Sequence, residues 1–191
     1  MMDSHSLPLR TWNQRGVSLL EILITILIVS FGLLGIAGLT ATSVQIAKLS
    51  QFRSVTLQLA NDYVERMRGN IAAVSGGQYD KTDTYAIHSA TDTEDDVVCA
   101  VADSCTSAEL AALDQAQWVN SLRQRLPGGD AYVKYNAGEL TVDLWIMWQE
   151  PGMELGDATL SVADGGNPCP AAPLSDYSGN PPACFYYRVS L

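Results

Sequence analysis

Four cysteines and two histidines, with a short run of acids, are the side chains here whose types could do chemistry. Cys99, Cys105, Cys169 and Cys184 form an even set with short local spacings. Such a set suits disulfides in an oxidising compartment. Zinc prefers tighter pairs such as C-x2-C, often with histidines close by, and His5 and His88 stand alone. Of the three possible pairings, Cys99–Cys105 and Cys169–Cys184 are favoured because each closes a short loop. Asp92, Glu94, Asp95 and Asp96 lack the glycine turn and ligand spacing of a calcium loop, so the run reads as solvated. The histidines make no Ser/His/Asp set, and no Gly-rich phosphate loop occurs. The expectation is therefore no catalytic residue, no metal and no cofactor: a structural protein, acted on by an enzyme instead of being one.

The remaining candidate is a single acid. Glu21 stands at the head of an uncharged run of 26 residues, 22–47, and the next charge is Lys48. At about 1.5 Å rise per residue, about 20 residues cross the hydrocarbon of a bilayer, so residues 22–41 suffice. A core helix of a soluble protein seldom stays uncharged so long. Arg10 and Arg15 precede the run, and Lys48 and Arg53 follow it. By number the flanks tie, but Arg15 lies closer, which places the N-terminus in the cytoplasm. The cysteines, all beyond the span, agree. The formal net charge is -10, which disfavours nucleic acid as a partner, since phosphate binding wants clustered Lys and Arg.

Three readings of the N-terminus compete. An ordinary secretory signal would use Gly35-Ile36-Ala37 as its small-x-small cleavage site. An uncut anchor leaves Glu21 unexplained. The third rests on Arg15-Gly16-Val17-Ser18-Leu19-Leu20-Glu21, which resembles the processing site of type IV prepilins. The resemblance implies a cut between Gly16 and Val17 by a prepilin peptidase, then methylation of the Val17 amine. Val17 departs from the Phe or Met usual at that place. It also implies that Glu21 pairs with the amine of a neighbouring subunit in the filament. A carboxylate held within the bilayer costs at least ~2.5–3.5 kcal/mol at mid-depth, and such a pairing offsets it; because depth decides the cost, an interfacial Glu21 that faces headgroups with no partner is the other reading.

Other stretches resemble the PilV group of minor pilins, the type IV pilus modification proteins. They are residues 30–39, the Ala60-Asn61-Asp62-Tyr63-Val64-Glu65-Arg66-Met67-Arg68-Gly69-Asn70 stretch with its "RMR-x-N" element, and Ala183-Cys184-Phe185-Tyr186-Tyr187-Arg188. The resemblance implies a minor pilin that helps initiate assembly and joins a complex at the pilus tip. The partners implied are the prepilin peptidase, other minor pilins, the major pilin and a tip adhesin. The location implied is the bacterial inner membrane with a periplasmic head, then the pilus. A type II secretion pseudopilin is the alternative. The second alternative is a periplasmic binding domain, secreted or anchored by an ordinary signal.

The elements that would carry these residues follow from periodicity. One helix is expected over residues 17–68, apolar all round at first. Later it is one-sided, with Leu49, Phe52, Leu59, Tyr63 and Met67 at helical spacing. Gly69-Asn70 is its stop. Gly32, Gly35 and Gly38 recur every three residues, which leaves close helix packing, local bending and no role all open. Thr106-Ser107-Ala108-Glu109 fits a capping box, opening a short surface helix with Leu110, Leu113, Trp118, Leu122 and Leu126 on one face. Residues 131–135 and 140–148 read as a hairpin around Asn136-Ala137-Gly138-Glu139. In its second strand Leu140, Val142, Leu144, Ile146 and Trp148 share a face. Phe185, Tyr187, Val189 and Leu191 alternate in a last strand, and residues 161–183 read as a loop. The fold class is α+β: a long N-terminal helix packed on a small antiparallel sheet, with a disulfide-clipped C-terminal loop. Its divisions are a leader, 1–16, the long helix, 17–70 with 17–41 in the membrane or filament core, and a periplasmic head, 71–191.

Overall fold

The computed structural model describes residues 18–95, 105–150 and 169–191. The first helix, α1 (Leu19–Gly69), is 51 residues long and holds no proline. The chain divides into two compact units, residues 1–46 and 47–191. In the first unit no described residue is buried. Each of four hydroxyls there bonds within the helix: Thr25 to the Glu21 and Ile22 carbonyls, Ser30 to Ile26, Thr40 to Ala37, and Thr42 to Gly38 and Leu39. A helix surface with its polar groups satisfied internally is what lipid demands.

In the second unit α1 becomes one-sided. Thr56, Leu59, Ala60, Tyr63, Val64 and Met67 are buried, three or four apart as a helix face requires. The stripe is wider than the expected one, because Ala60 and Val64 also face inward, while Leu49 and Phe52 are only half-buried. α1 stops at Gly69 as expected. Asn70 then opens a five-residue helix the sequence did not signal, α2 (Ile71–Ser75). The Asn70 side chain does not cap it; Nδ2 donates instead to the Ser107 carbonyl at 2.8 Å.

α3 (Ser107–Arg125) starts on the expected capping box. The Thr106 hydroxyl accepts from the Glu109 N–H, and the Glu109 carboxylate accepts from the Thr106 N–H. The helix is neither short nor superficial. It has 19 residues and buries Ala111, Ala116, Trp118, Val119, Leu122 and even Arg123, while Leu110 and Leu113 are half-buried. Small alanines let α3 sit close against its neighbours, and a leucine-only count misses them.

The sheet comprises β1 (Asp130–Asn136), β2 (Thr141–Trp148) and β3 (Ala183–Ser190), antiparallel in that order. The inner rows run Ala131, Ile146 and Phe185, then Val133, Leu144 and Tyr187, then Tyr135, Val142 and Val189. They pack with α1 and α3 in one core. Leu140 departs from the expected alternation: it ends the turn at φ 54° and is 61 % exposed. β3 begins two residues earlier than expected, at Ala183.

The outer face of the sheet is also partly covered, which periodicity did not reveal. Tyr85, Tyr132 and Met147 form a second cluster with Trp145, Tyr177, Cys184 and Leu174 of α4 (Ala171–Leu174). The Tyr85 N–H donates to the Pro173 carbonyl at 2.8 Å. The Cys169–Cys184 disulfide ties the start of this cover to β3 across 15 positions, a closure worth roughly 3 kcal/mol on the loop-entropy model.

At the open end of that face Asp143 accepts from Asn136 Nδ2 (2.6 Å), the Tyr186 hydroxyl (2.6 Å), and Arg188 Nε (2.6 Å) and Nη2 (3.0 Å). The Arg188 guanidinium, helped by Tyr186 and Asn136, holds the carboxyl below its ordinary value of 3.8, against the opposing effect of burial. A depressed carboxylate gives stability that is present above its unfolded pKa and lost as pH falls through its folded one. Thermal melts of the full chain in neutral detergent are expected to lose Tm as pH drops from about 4. Asp143→Asn is expected to start lower at neutral pH and to flatten that slope.

Candidate functional site

Glu21 is the third residue of α1 and is exposed. The N–H groups of Glu21 and Ile22 both donate to the Ser18 carbonyl, at 3.0 and 3.3 Å, so the helix turn is formed from Ser18 onward. A carboxylate in a first turn meets unpaired backbone N–H groups and the positive end of the helix dipole. Ser18-x-x-Glu21 also has capping-box spacing. Gly16 and Val17, the expected cut, lie outside the described residues, as does His5.

Beyond Glu21 the first unit presents apolar side chains only outward: Leu23, Leu27, Phe31, Leu34 and Leu39 are each more than half exposed. A Cβ added at Gly32, Gly35 or Gly38 would meet nothing within 4 Å. α1 is long and apolar enough to cross a membrane. Thirteen or more large apolar side chains left in water would cost several tens of kcal/mol at about 25 cal/mol per Å2, so this surface needs lipid or other helices around it.

The other candidates separate into structural parts. The Cys169–Cys184 bridge is formed. Cys105 is disulfide-bonded, and its expected partner Cys99 lies outside the described residues. Asp92, Glu94 and Asp95 are exposed, yet the run is anchored to α3. Arg123 Nη2 contacts Glu94 Oε1 at 2.6 Å, Nη1 donates to the Asp92 carbonyl at 3.1 Å, and Asn120 bonds the Glu94 backbone on both sides. Asp96 lies outside the described residues. No group of three metal-ligating side chains occurs among the described ones.

The "RMR-x-N" element docks α1 onto α3. Arg66 bridges Asp62 at 3.2 Å and Asp114 at 2.9 Å, Met67 is core, Arg68 pairs with Glu65, and Asn70 holds Ser107. Asp114 also accepts from the Tyr79 hydroxyl at 2.6 Å. Near the opposite end of α3, Asp130 is buried with Lys81 Nζ 3.1 Å from its Oδ1. His88 Nε2 lies 4.0 Å from its Oδ2 and 3.4 Å from Arg123 Nη2.

Beside this network a cleft of about 510 Å3 opens between α1 and the end of α3. Lys48, Phe52, His88, Arg123, Arg125 and Pro127 are among its lining residues, and no carboxylate is. Sequence reading missed it, because these residues are brought together only by the tertiary fold.

Two family models match the chain. One, described as type IV pilin Tt1218, covers residues 38–116. The other, the prokaryotic N-terminal methylation motif, covers residues 13–37, which include Gly16, Val17 and Glu21. No curated protein and no solved structure matches the chain.

Proposed function

We propose that this chain, whose two matches support a place in the type IV pilin superfamily, is a minor pilin. Pilins are structural subunits, and the chain serves as a substrate for processing and a part for assembly. In this reading residues 1–16 are a cytoplasmic leader. The prepilin peptidase cuts between Gly16 and Val17, and the new amine is methylated. Residues 17–41 hold the protein in the inner membrane and later enter the filament core, and residues 71–191 form a periplasmic head. Its partners are other minor pilins, the major pilin and, at the tip, an adhesin.

The observation that carries the reading is the first unit itself. Its surface is apolar nearly all round, four of its hydroxyls bond within the helix, and its acid sits in the first turn, inside the methylation-motif match. The minor-pilin assignment, as against a major pilin, rests on the PilV-like stretches. The structure gives two of those stretches packing roles: residues 60–70 dock α1 on α3, and residues 183–188 lie in β3 with its disulfide and Arg188.

The processing claim has a direct test. Mass spectrometry and Edman sequencing of the mature protein are expected to find N-methylated Val17 as the first residue. A start at Gly38, or an intact Met1, would sink the pilin reading. A type II secretion pseudopilin would share the cut. Gene deletion separates the two: loss of surface pili and twitching supports the minor pilin, while loss of exoprotein secretion supports the pseudopilin.

A further inference from the structure

The geometry points to the cleft beside Lys48 as a binding site for the phosphodiester headgroup of an anionic phospholipid, an inference that rests on the membrane-anchored reading above. Its volume, about 510 Å3, falls in the range of about 300–1,000 Å3 usual for small-ligand sites. The chain has 21 acids against 11 Lys and Arg, so a cleft lined by three of those cations and no carboxylate is against the grain of the surface. Neither Lys48 nor Arg125 has an acidic partner among the described residues; Arg125 Nη2 donates only to the neutral Gln58 side chain at 2.7 Å. Arg123, at the cleft wall, is 6 % exposed and its Nε has no partner. Its guanidinium is held in place by Glu94 and the Asp92 carbonyl, so a buried, fixed cation lines the cleft together with two that no carboxylate neutralises.

Depth selects the lipid as the source of the phosphate. Lys48 is the first charge after residues 22–47. If residues 22–41 fill the hydrocarbon, the six that remain rise ~9 Å, a little beyond a headgroup layer of ~5–7.5 Å. Lys48 therefore falls at the outer edge of the headgroups, from which its long side chain reaches back to the phosphates. Phe52 and Pro127 add apolar surface beside the cations, suited to the glycerol and upper acyl region.

The test uses the full chain in neutral detergent micelles, titrated with phosphatidylglycerol, phosphatidylcholine or inorganic phosphate, and read by native mass spectrometry. Phosphatidylglycerol is expected to be retained about tenfold over phosphatidylcholine. The double variant Lys48→Gln with Arg125→Gln is expected to lose about tenfold of that binding, each cation near a lipid surface carrying a several-fold effect. Lys134→Gln, on an exposed residue of β1 away from the cleft, is expected to leave it unchanged. Equal retention of the two lipids overturns the proposal. So does unchanged binding by the double variant, or displacement of the lipid by inorganic phosphate at equal concentration. Alkaline carbonate extraction of membranes reads the underlying premise separately: a chain that stays in the pellet without headgroup preference refutes the cleft alone, and a chain released to the supernatant refutes the anchor.

Discussion

Trp118→Ala is expected to destabilise the head by about 3–5 kcal/mol, the usual range for removing a large aromatic from a core. The indole is fully buried and stacks on Tyr63 with ring centroids 3.9 Å apart and planes 17° from parallel. Its Nε1 donates to the Leu59 carbonyl at 2.8 Å. Tyr63 in turn donates its hydroxyl to the Tyr79 carbonyl and meets the Tyr79 ring edge-on. One side chain thus joins α3 to α1 and to the loop beyond α2. Alanine leaves a cavity between α3 and α1, where the indole had filled the space against Tyr63 and Leu59. Trp118→Phe keeps a ring against Tyr63 and loses the N–H with one ring of the indole, so a smaller loss of about 1–2 kcal/mol is expected. In thermal melts of the full chain in neutral detergent, alanine should lower Tm on the order of 10 °C, phenylalanine by a third of that or less. Equal effects of the two would mean that the hydrogen bond, and not the packing, fastens α3.

What the sequence revealed, and what it hid, follows from the range of each interaction. The Thr106–Glu109 box is a four-residue pattern, and it stands in the structure as read. The β2 alternation is equally local and correct from Val142 to Trp148. It fails at Leu140 because a turn, whose geometry overrides alternation, extends one residue further and places that leucine at φ 54°. α2 escaped because five residues carry no period and Asn70, which could have marked it as a cap, spends its side chain on Ser107. The second cluster joins Tyr85, Tyr132, Met147 and Tyr177, which no repeat relates. Arg123, in the last turn of α3, is a buried tether for Glu94 and the Asp92 carbonyl, a role that no local pattern marks. The candidate site divides the same way. Glu21 was legible because its context is the uncharged run around it. The Lys48 cleft was not, since Lys48, His88 and Arg123 are each about 35 residues or more from the next along the chain.

Glu21→Ala is expected to be cut normally after Gly16 yet to reach sheared pili at less than a tenth of the wild-type level, measured against its amount in the membrane. The substitution removes two things at once, because Glu21 serves the first turn of α1 and carries the only charge of the run. Its contribution to the helix end is about 0.3–1 kcal/mol, too little for a tenfold loss when most of α1 holds itself together. Its charge is the larger matter wherever the helix end is surrounded by apolar groups: the cost rises toward ~2.5–3.5 kcal/mol at bilayer mid-depth, and is offset only where a cation meets it. Glu21→Gln separates the roles. The amide keeps hydrogen-bonding capacity at the first turn but has no charge to offer an amine. If pairing with a neighbour's N-terminal amine drives docking, glutamine incorporates as poorly as alanine. Incorporation of Glu21→Gln at the wild-type level would assign Glu21 to the helix end and remove it from assembly. The pairing also makes a claim about order. The amine exists only after cleavage, so an uncut Gly16→Val chain should show no further loss when Glu21→Gln is added. Such non-additivity marks two residues that act on one step, and here the step is the meeting of a new amine with an old acid.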